Sequence, residues 1–323
     1  MHGVFLDTGS LLAGTGKHGD LDFAAITALP LSWDYHAATA PEEVVARLQG
    51  AQVVVTNKVI LDATQLARLP DLKLIAVAAT GVNNVDLDAA RRQGIQVCNV
   101  TGYATPSVVQ HVFMLILALL RNLTAYRDAL HAGRWQQSRH FCLLDYPIAE
   151  LQDKTLGIIG YGELGQAVAR MGEAFGMRCL VARRNADDQR ADRLPLTELL
   201  QKADIVSLHC PLTDETRHLI GAEQLALMKP GALLINTARG GIVDESALYE
   251  ALREGHLGGA GMDVLAEEPP TADNPLLSAQ LDNLIVTPHI GWASRAARQR
   301  LLDQVAENIA GYLAGGPVPN ALC

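Results

Sequence analysis

The sequence predicts an α/β protein made of two doubly wound parallel-sheet domains. Two observations carry the expectation. Short, near-continuous apolar runs recur along the chain between helix-length amphipathic stretches, the pattern of parallel strands covered on both faces. The 323 residues also exceed what a single core usually serves, so two domains are expected.

In the first part of the chain the strand-like runs are Val4-Phe5-Leu6, Val53-Val54-Val55-Thr56, Leu74-Ile75-Ala76-Val77-Ala78-Ala79 and Ile95-Gln96-Val97-Cys98-Asn99-Val100. Thr105-Pro106-Ser107 then opens a helix into the apolar residues 108–120, with proline tolerated in the first turn. Further runs follow at 156–159, 178–182, 204–209, 232–238, 259–264 and 284–288, alternating with helices and turns. An amphipathic stretch at 293–313 precedes an irregular tail marked by Pro317 and Pro319. If that stretch returns to the first strands, the chain is discontinuous. The expected division is one domain from residues 1–101 and 288–323 and a second, inserted one from 102–287.

Composition removes several classes of function. Twenty-six basic against 35 acidic side chains give a formal charge of −9, and no arginine- or lysine-rich block is present to track a nucleic acid backbone. A small anion would have to be held by local positive charge. The opening Met1-His2-Gly3-Val4-Phe5-Leu6-Asp7 enters a strand at once, without the charged leader or apolar core of a secretory signal. Residues 112–120 are apolar but too short to span a bilayer, so no membrane partner is expected. Cys98, Cys142, Cys179, Cys210 and Cys323 are scattered without paired spacing, which suits reduced thiols in cytoplasm. His111, His131, His140 and His209 have no mutual spacing of a metal site, and no metal is expected.

The most specific motif is Gly160-Tyr161-Gly162-Glu163-Leu164-Gly165, directly after the run at 155–159 and before a helix-like segment at 166–175. In a strand-turn-helix of this kind Gly160 permits the tight turn, Gly162 lets backbone approach a pyrophosphate, and Gly165 lets the helix lie close. The context points to a dinucleotide. The next strand ends in Arg183-Arg184, where a fold that holds NAD normally places an acid for the adenosine ribose. Two guanidiniums there suit the 2'-phosphate of NADP, and NADPH is the expected cofactor, with NAD possible.

Three groups follow later strands: Arg239, Glu268 and His289. Ligands of open α/β sheets bind outside the carboxyl ends of strands, so separate loops can bring these three together. Hydride transfer to a carbonyl needs a group that trades a proton near neutral pH, and histidine is the natural one. A carboxylate beside it fixes the ring, the role of Glu268. A guanidinium fork holds a substrate carboxylate and polarises the neighbouring carbonyl, the role of Arg239.

With these residues in view, the chain resembles the D-isomer-specific 2-hydroxyacid dehydrogenases over essentially its full length. The resemblance runs through the glycine turn, His209-Cys210-Pro211-Leu212-Thr213, Asn236-Thr237-Ala238-Arg239-Gly240-Gly241, Asp263-Val264-Leu265-Ala266-Glu267-Glu268-Pro269 and Pro288-His289-Ile290-Gly291. It implies two Rossmann-like domains, the cofactor domain inserted into a discontinuous, flavodoxin-like substrate domain, and a homodimer. It places the catalytic trio on Arg239, Glu268 and His289. Cofactor contacts fall on Gly160, Gly162, Glu163, Leu164, Gly165, Arg183, Arg184, Cys210, Pro211, Thr216, Thr237, Ala238, Gly291 and Asp263, the last at the nicotinamide amide. Substrate contacts fall on Ala79, Thr80 and Gly81, through backbone amides, and on Arg239 and His289.

Within the family, residues 79–86 and 102–111 look most like glycerate dehydrogenases, which reduce hydroxypyruvate to D-glycerate and often glyoxylate to glycolate. Three positions depart from the wider family: Gln110 for a usual glutamate, Ala79 for a frequent glycine, and Arg183-Arg184 for the ribose-binding acid. Another 2-oxo acid, such as pyruvate, a phosphorylated or a bulkier one, stays open as substrate. So does a dinucleotide-sensing corepressor without turnover.

Overall fold

A computed structural model describes residues 1–13, 19–184, 187–188, 190–278 and 281–323. The strands, in chain order, are β1 (His2–Phe5), β2 (Ser32–Tyr35), β3 (Val53–Thr56), β4 (Leu74–Val77), β5 (Gln96–Cys98), β6 (Thr155–Ile159), β7 (Arg178–Ala182), β8 (Arg193–Leu194), β9 (Ile205–Leu208), β10 (Leu233–Asn236), β11 (Gly259–Met262) and β12 (Leu284–Val286). The chain divides into two compact units, Met1–Ala104 with Trp292–Cys323, and Thr105–Gly291. The crossings thus fall at 104/105 and 291/292 rather than at 101/102 and 287/288.

In the first unit a five-stranded sheet runs β2-β1-β3-β4-β5, and its named strands pair in parallel. Successive side chains alternate between two cores, as the strand period of two demands. Phe5, Val53, Val55, Leu74 and Ala76 face one side, and Val4, Leu6, Val54, Ile75 and Val77 the other. The first of these faces is covered by the C-terminal helix Arg295–Leu313, which buries Ala297, Leu301, Leu302, Val305 and Ile309 there. The unit is therefore discontinuous in sequence. The tail is more ordered than two prolines imply: Val97 N–H donates to the Cys323 carbonyl and Leu322 N–H to that of Val97, beside β5.

In the second unit a seven-stranded sheet runs β12-β11-β10-β9-β6-β7-β8, again with parallel pairing. Counted from β6, this is the doubly wound dinucleotide-binding order with a seventh strand added beyond β11. One face holds a core of Ile159, Val206, Leu208, Leu234, Ala260 and Met262 with surrounding helices. The helix Thr105–Leu120 covers the other face beside β11, where a Cβ on Gly261 would lie 2.9 Å from that of Leu115.

Two strands have no counterpart in the apolar runs. β2 reads Ser-Trp-Asp-Tyr and alternates exposed with half-buried positions, because it is the sheet's edge. β8 is only two residues long, and one of them is a buried arginine. Among the described residues no single helix is long and apolar enough to cross a membrane.

Candidate active site

The glycine turn sits between β6 and the helix Glu163–Ala174. Gly160 has φ +93°, and a Cβ there would lie 2.5 Å from Cys210 N, so both its conformation and its packing exclude a side chain. At Gly165 a Cβ would lie 2.1 Å from the Gly160 carbonyl, which closes the turn against its helix. Among the described residues nothing lies within 4 Å of a Cβ on Gly162. The first helical turn, Glu163-Leu164-Gly165, therefore presents backbone N–H groups beside open space. The Glu163 carboxylate itself turns aside to accept from the Thr105 hydroxyl.

At the end of β7, Arg183 donates from Nε to the Arg193 carbonyl at 3.3 Å, and the exposed Arg184 donates from its backbone N–H to Asp188 at 3.0 Å. Residues 185, 186 and 189 lie outside the described ones. Asp188 is an acid the motif comparison overlooked, because it belongs to the loop rather than to the strand end. Arg190 holds its carboxylate from two nitrogens, each at 2.7 Å, and keeps it ionised well below the usual carboxylate range. Arg193, 7% exposed, lies with its guanidinium 4.4 Å from the ring centroid of Tyr161 in the glycine turn.

The sheet then brings three adjacent strands to one edge. β10, β11 and β12 are neighbours, and the loops after them carry Arg239, Glu268 and His289. His289 Nδ1 lies 2.6 Å from Glu268 Oε2. A carboxylate only accepts, so Nδ1 carries the proton and Nε2 is the atom left for chemistry. Glu268 is oriented in turn by the Leu265 N–H, which donates to its other oxygen at 3.0 Å. Arg239 is half-buried. Its Nη1 donates to the Ala238 carbonyl at 2.7 Å, while Nε and Nη2 have no partner among the described residues. Asn236 braces this bend, accepting from Ala238 N–H at 3.0 Å and donating to the Arg239 carbonyl at 2.8 Å.

His289 has φ +54°, a left-handed conformation that costs a non-glycine residue about 1 kcal/mol. Asp263 holds the turn around it. Its carbonyl accepts from His289 N–H at 2.8 Å, its Oδ1 from Ile290 N–H at 2.9 Å and the Thr287 hydroxyl at 2.6 Å, and its Oδ2 from Gly291 N–H at 2.8 Å. Burial raises the Asp263 pKa, but the bonds from His111, Thr287, Gly291 and Ile290 outweigh it and keep the carboxylate below its ordinary range. Asp263 is 2% exposed with both oxygens engaged. These bonds also give the carboxylate a role inside the protein, beneath the turn. The Gly291 carbonyl in turn accepts from the Ser107 hydroxyl at 2.7 Å.

The remaining expected contacts separate into open and occupied ones. Thr216 is occupied: its hydroxyl accepts from Thr213 N–H and donates to the Pro211 carbonyl, both within its own loop. Cys210 is half-buried, with its thiol pKa raised by burial. In the first unit the chain leaves β4 through Ala79, Thr80 and Gly81, whose N–H groups have no acceptor among the described residues, while the Thr80 carbonyl accepts from Asn99 at 2.8 Å. A cleft of about 700 Å³ opens in the same unit at the ends of β1, β2 and β3, and includes Asp7, Thr39 and Lys58. None of the expected site residues lines it.

Comparison with known proteins decides the family. The family model for the NAD binding domain of D-isomer-specific 2-hydroxyacid dehydrogenases matches residues 113–291. The chain belongs to this family. The glycerate dehydrogenase of Methylorubrum extorquens is 50% identical over 284 residues, 88% of this chain and 90% of that one. The hydroxypyruvate reductase of Blautia hydrogenotrophica is 38% identical, over 93% of this chain and 94% of that one. Among solved structures, an NADPH-dependent glyoxylate/hydroxypyruvate reductase of Sinorhizobium meliloti, in complex with NADP and malonate, superposes with a TM-score of 0.82 at 27% identity, covering 100% of this chain and 97% of that one.

This 2-hydroxyacid dehydrogenase is thus an oxidoreductase of small 2-hydroxy and 2-oxo acids that uses a nicotinamide dinucleotide. Its residues fit the cofactor. Besides the open helix terminus, Thr237 Oγ1 is buried without a hydrogen-bond partner among the described residues, an orphan that a bound ligand would satisfy. No group of His, Cys, Asp and Glu among the described residues could hold a metal ion. What motif reading missed in this dehydrogenase is the support: His111, Thr287 and Ser107 around Asp263, and Arg193 against Tyr161.

Proposed function

We propose that this dehydrogenase reduces hydroxypyruvate to D-glycerate and glyoxylate to glycolate, with NADPH favoured over NADH. The observation that carries the chemistry is the His289–Glu268 pair at 2.6 Å, joining the loops after β12 and β11, beside the loop after β10 that presents the open edge of Arg239. The choice of acid is supported by the relatives named glycerate dehydrogenase and hydroxypyruvate reductase. Arg183 and Arg184 support the choice of cofactor, since β7 ends in two guanidiniums and no acid. Asp188 lies nearby, but its charge is matched by Arg190.

The nicotinamide, when bound, supplies the hydride that passes to C2 of the acid. Arg239 receives the substrate carboxylate on Nε and Nη2, and the free N–H groups of Ala79, Thr80 and Gly81 suit an anion. His289 Nε2 donates the proton to the C2 oxygen as it becomes a hydroxyl. Glu268 keeps the ring oriented and offsets its positive charge before the proton leaves. Backbone N–H groups of Glu163, Leu164 and Gly165 take the pyrophosphate across Gly162, the orphan hydroxyl of Thr237 takes a further polar group of the dinucleotide, and Arg183 and Arg184 take the 2'-phosphate. Cys210, Pro211 and Ala238 line the cofactor by backbone and apolar contact.

The same reading makes the enzyme a cytoplasmic homodimer. Five unpaired cysteines support the compartment. Phe141, 91% exposed, with Leu144 and Trp135 nearby, supports a partner surface on the second unit. Trp135 is 51% exposed, so it does not belong to the core.

Initial rates with NADPH and with NADH on hydroxypyruvate, glyoxylate, pyruvate and phosphohydroxypyruvate test the proposal. NADPH-dependent turnover concentrated on the first two acids is the expected result. A preference for NADH would overturn the cofactor assignment, and a preference for either of the last two acids would overturn the substrate assignment.

A further inference from the structure

His111 sits in the second turn of the helix Thr105–Leu120, and its side chain is 10% exposed. Its Nε2 lies 2.9 Å from Thr287 Oγ1 and 3.2 Å from Asp263 Oδ1. The Thr287 hydroxyl has a single proton and donates it to Asp263, so at this contact His111 Nε2 is the donor. The proton of His111 is therefore placed by its partners. Ser107, four residues earlier and on the same helical face, donates to the Gly291 carbonyl at 2.7 Å. The His111 ring also lies against the turn, since a Cβ on Gly291 would come within 3.4 Å of its Cγ and Cδ2.

One helix face thus forms the floor of the segment 287–291, whose exposed side carries His289. The order of contacts is continuous: His111 and Thr287 orient the Asp263 carboxylate, that carboxylate holds the Ile290 and Gly291 N–H groups, and the Asp263 carbonyl holds that of His289. His289 occupies a left-handed conformation that its own side chain does not favour, so the turn depends on these outside bonds.

We propose that His111, assisted by Ser107, is a positioning residue for proton transfer: it sets the Asp263 carboxylate, which sets the turn that aims His289. The inference rests on the reading of His289 as the proton donor. Truncating His111 frees the Asp263 carboxylate to rotate, the turn relaxes, and the imidazole moves relative to the reacting oxygen. A displacement of about 1 Å costs on the order of 100-fold in rate. On this proposal the loss falls mainly in kcat.

The test compares His111→Ala, His111→Gln, Thr287→Val and His289→Ala with the parent enzyme. Each is measured for kcat and KM on hydroxypyruvate with NADPH, for NADPH affinity by fluorescence titration, and for melting temperature. Expected are a 10- to 100-fold fall in kcat for His111→Ala with KM and NADPH affinity within about twofold of the parent, and substantial recovery in His111→Gln, whose amide can donate to the same oxygens. Thr287→Val, which removes a hydroxyl at nearly constant volume, reproduces the kcat defect and serves where His111→Ala does not fold. A His111→Ala enzyme with parental kcat, or one whose kcat, KM, NADPH affinity and melting temperature decline together without recovery in His111→Gln, overturns the proposal. Should the His289→Ala enzyme retain parental turnover, it is the proton-donor reading itself that falls; loss in His289→Ala with parental kcat in both His111→Ala and Thr287→Val isolates the failure to the positioning role.

Discussion

At the scale of single residues, the chemistry depends on one short contact and on which atoms it leaves free. Glu268 uses one oxygen for His289 Nδ1 and the other for Leu265 N–H. Glutamine has only one acceptor oxygen, so Glu268→Gln must surrender one of these bonds as well as its charge. Steady-state kinetics are expected to show kcat reduced roughly 10- to 100-fold, about 1.4–2.7 kcal/mol in the barrier, with NADPH affinity unchanged. Parental kcat in that variant would remove Glu268 from the mechanism. Arg239, Glu268 and His289 were legible in the sequence because each follows an apolar strand and each has a side chain whose chemistry is recognisable alone. Asp263 was legible as a site residue, but the bonds that hold it were not. Its partners at 111, 287, 290 and 291 are near it only after the sheet is assembled, and hydrogen-bond partners distant in sequence leave no periodic signal.

At the scale of elements, the strand-turn-helix from β6 onward is a unit whose tolerances are set by backbone contact. Replacing Gly165 by alanine places a Cβ 2.1 Å from the Gly160 carbonyl, and backbone cannot give way as a flexible side chain would. Gly165→Ala is expected to destabilise the second unit by roughly 1–3 kcal/mol and to weaken NADPH binding. Parental melting temperature and affinity would contradict the account of the turn. The turn also leans on β9, where His209 N–H donates to the Ile159 carbonyl and His209 Nε2 lies 2.9 Å from the Ser207 hydroxyl. Burial lowers the His209 pKa from 6.5 to about 4. Below 6.5 the unfolded chain gains a proton that the folded chain does not, so stability falls as pH drops from 6.5 toward 4, with a slope of at most about 1.4 kcal/mol per pH unit. Denaturant titrations of the parent and of His209→Gln across this window should diverge, with the shallower dependence in the variant; parallel curves would show that His209 is not the source. Most strands were legible because buried parallel strands are continuously apolar. β2 was not, since an edge strand alternates, and β8 was not, since a two-residue strand has no pattern.

At the scale of the whole molecule, the discontinuous first unit makes its stability depend on residues nearly 300 positions apart. Leu301, fully buried on the C-terminal helix, packs in the same core as Phe5 and Val53. An aspartate there would be a buried, unpaired acid. Leu301→Asp is expected to cost more than about 3 kcal/mol and, by calorimetry, to lower the transition of the first unit while leaving that of the second in place. Equal shifts of both transitions would argue against two separately cored units. This return of the C-terminal helix was legible as an amphipathic stretch without a neighbour of its own. The tail's pairing beside β5 was not, because it rests on backbone bonds that any residues can make.

The most direct test of the central claim follows the hydride itself. Hydroxypyruvate is incubated with NADPH carrying deuterium at the transferring C4 position, and the product is analysed for configuration and for label at C2, with His289→Ala in parallel. D-glycerate labelled at C2, formed by the parent and lost in the variant, is the predicted result. L-glycerate, unlabelled product, or undiminished turnover without His289 would contradict it.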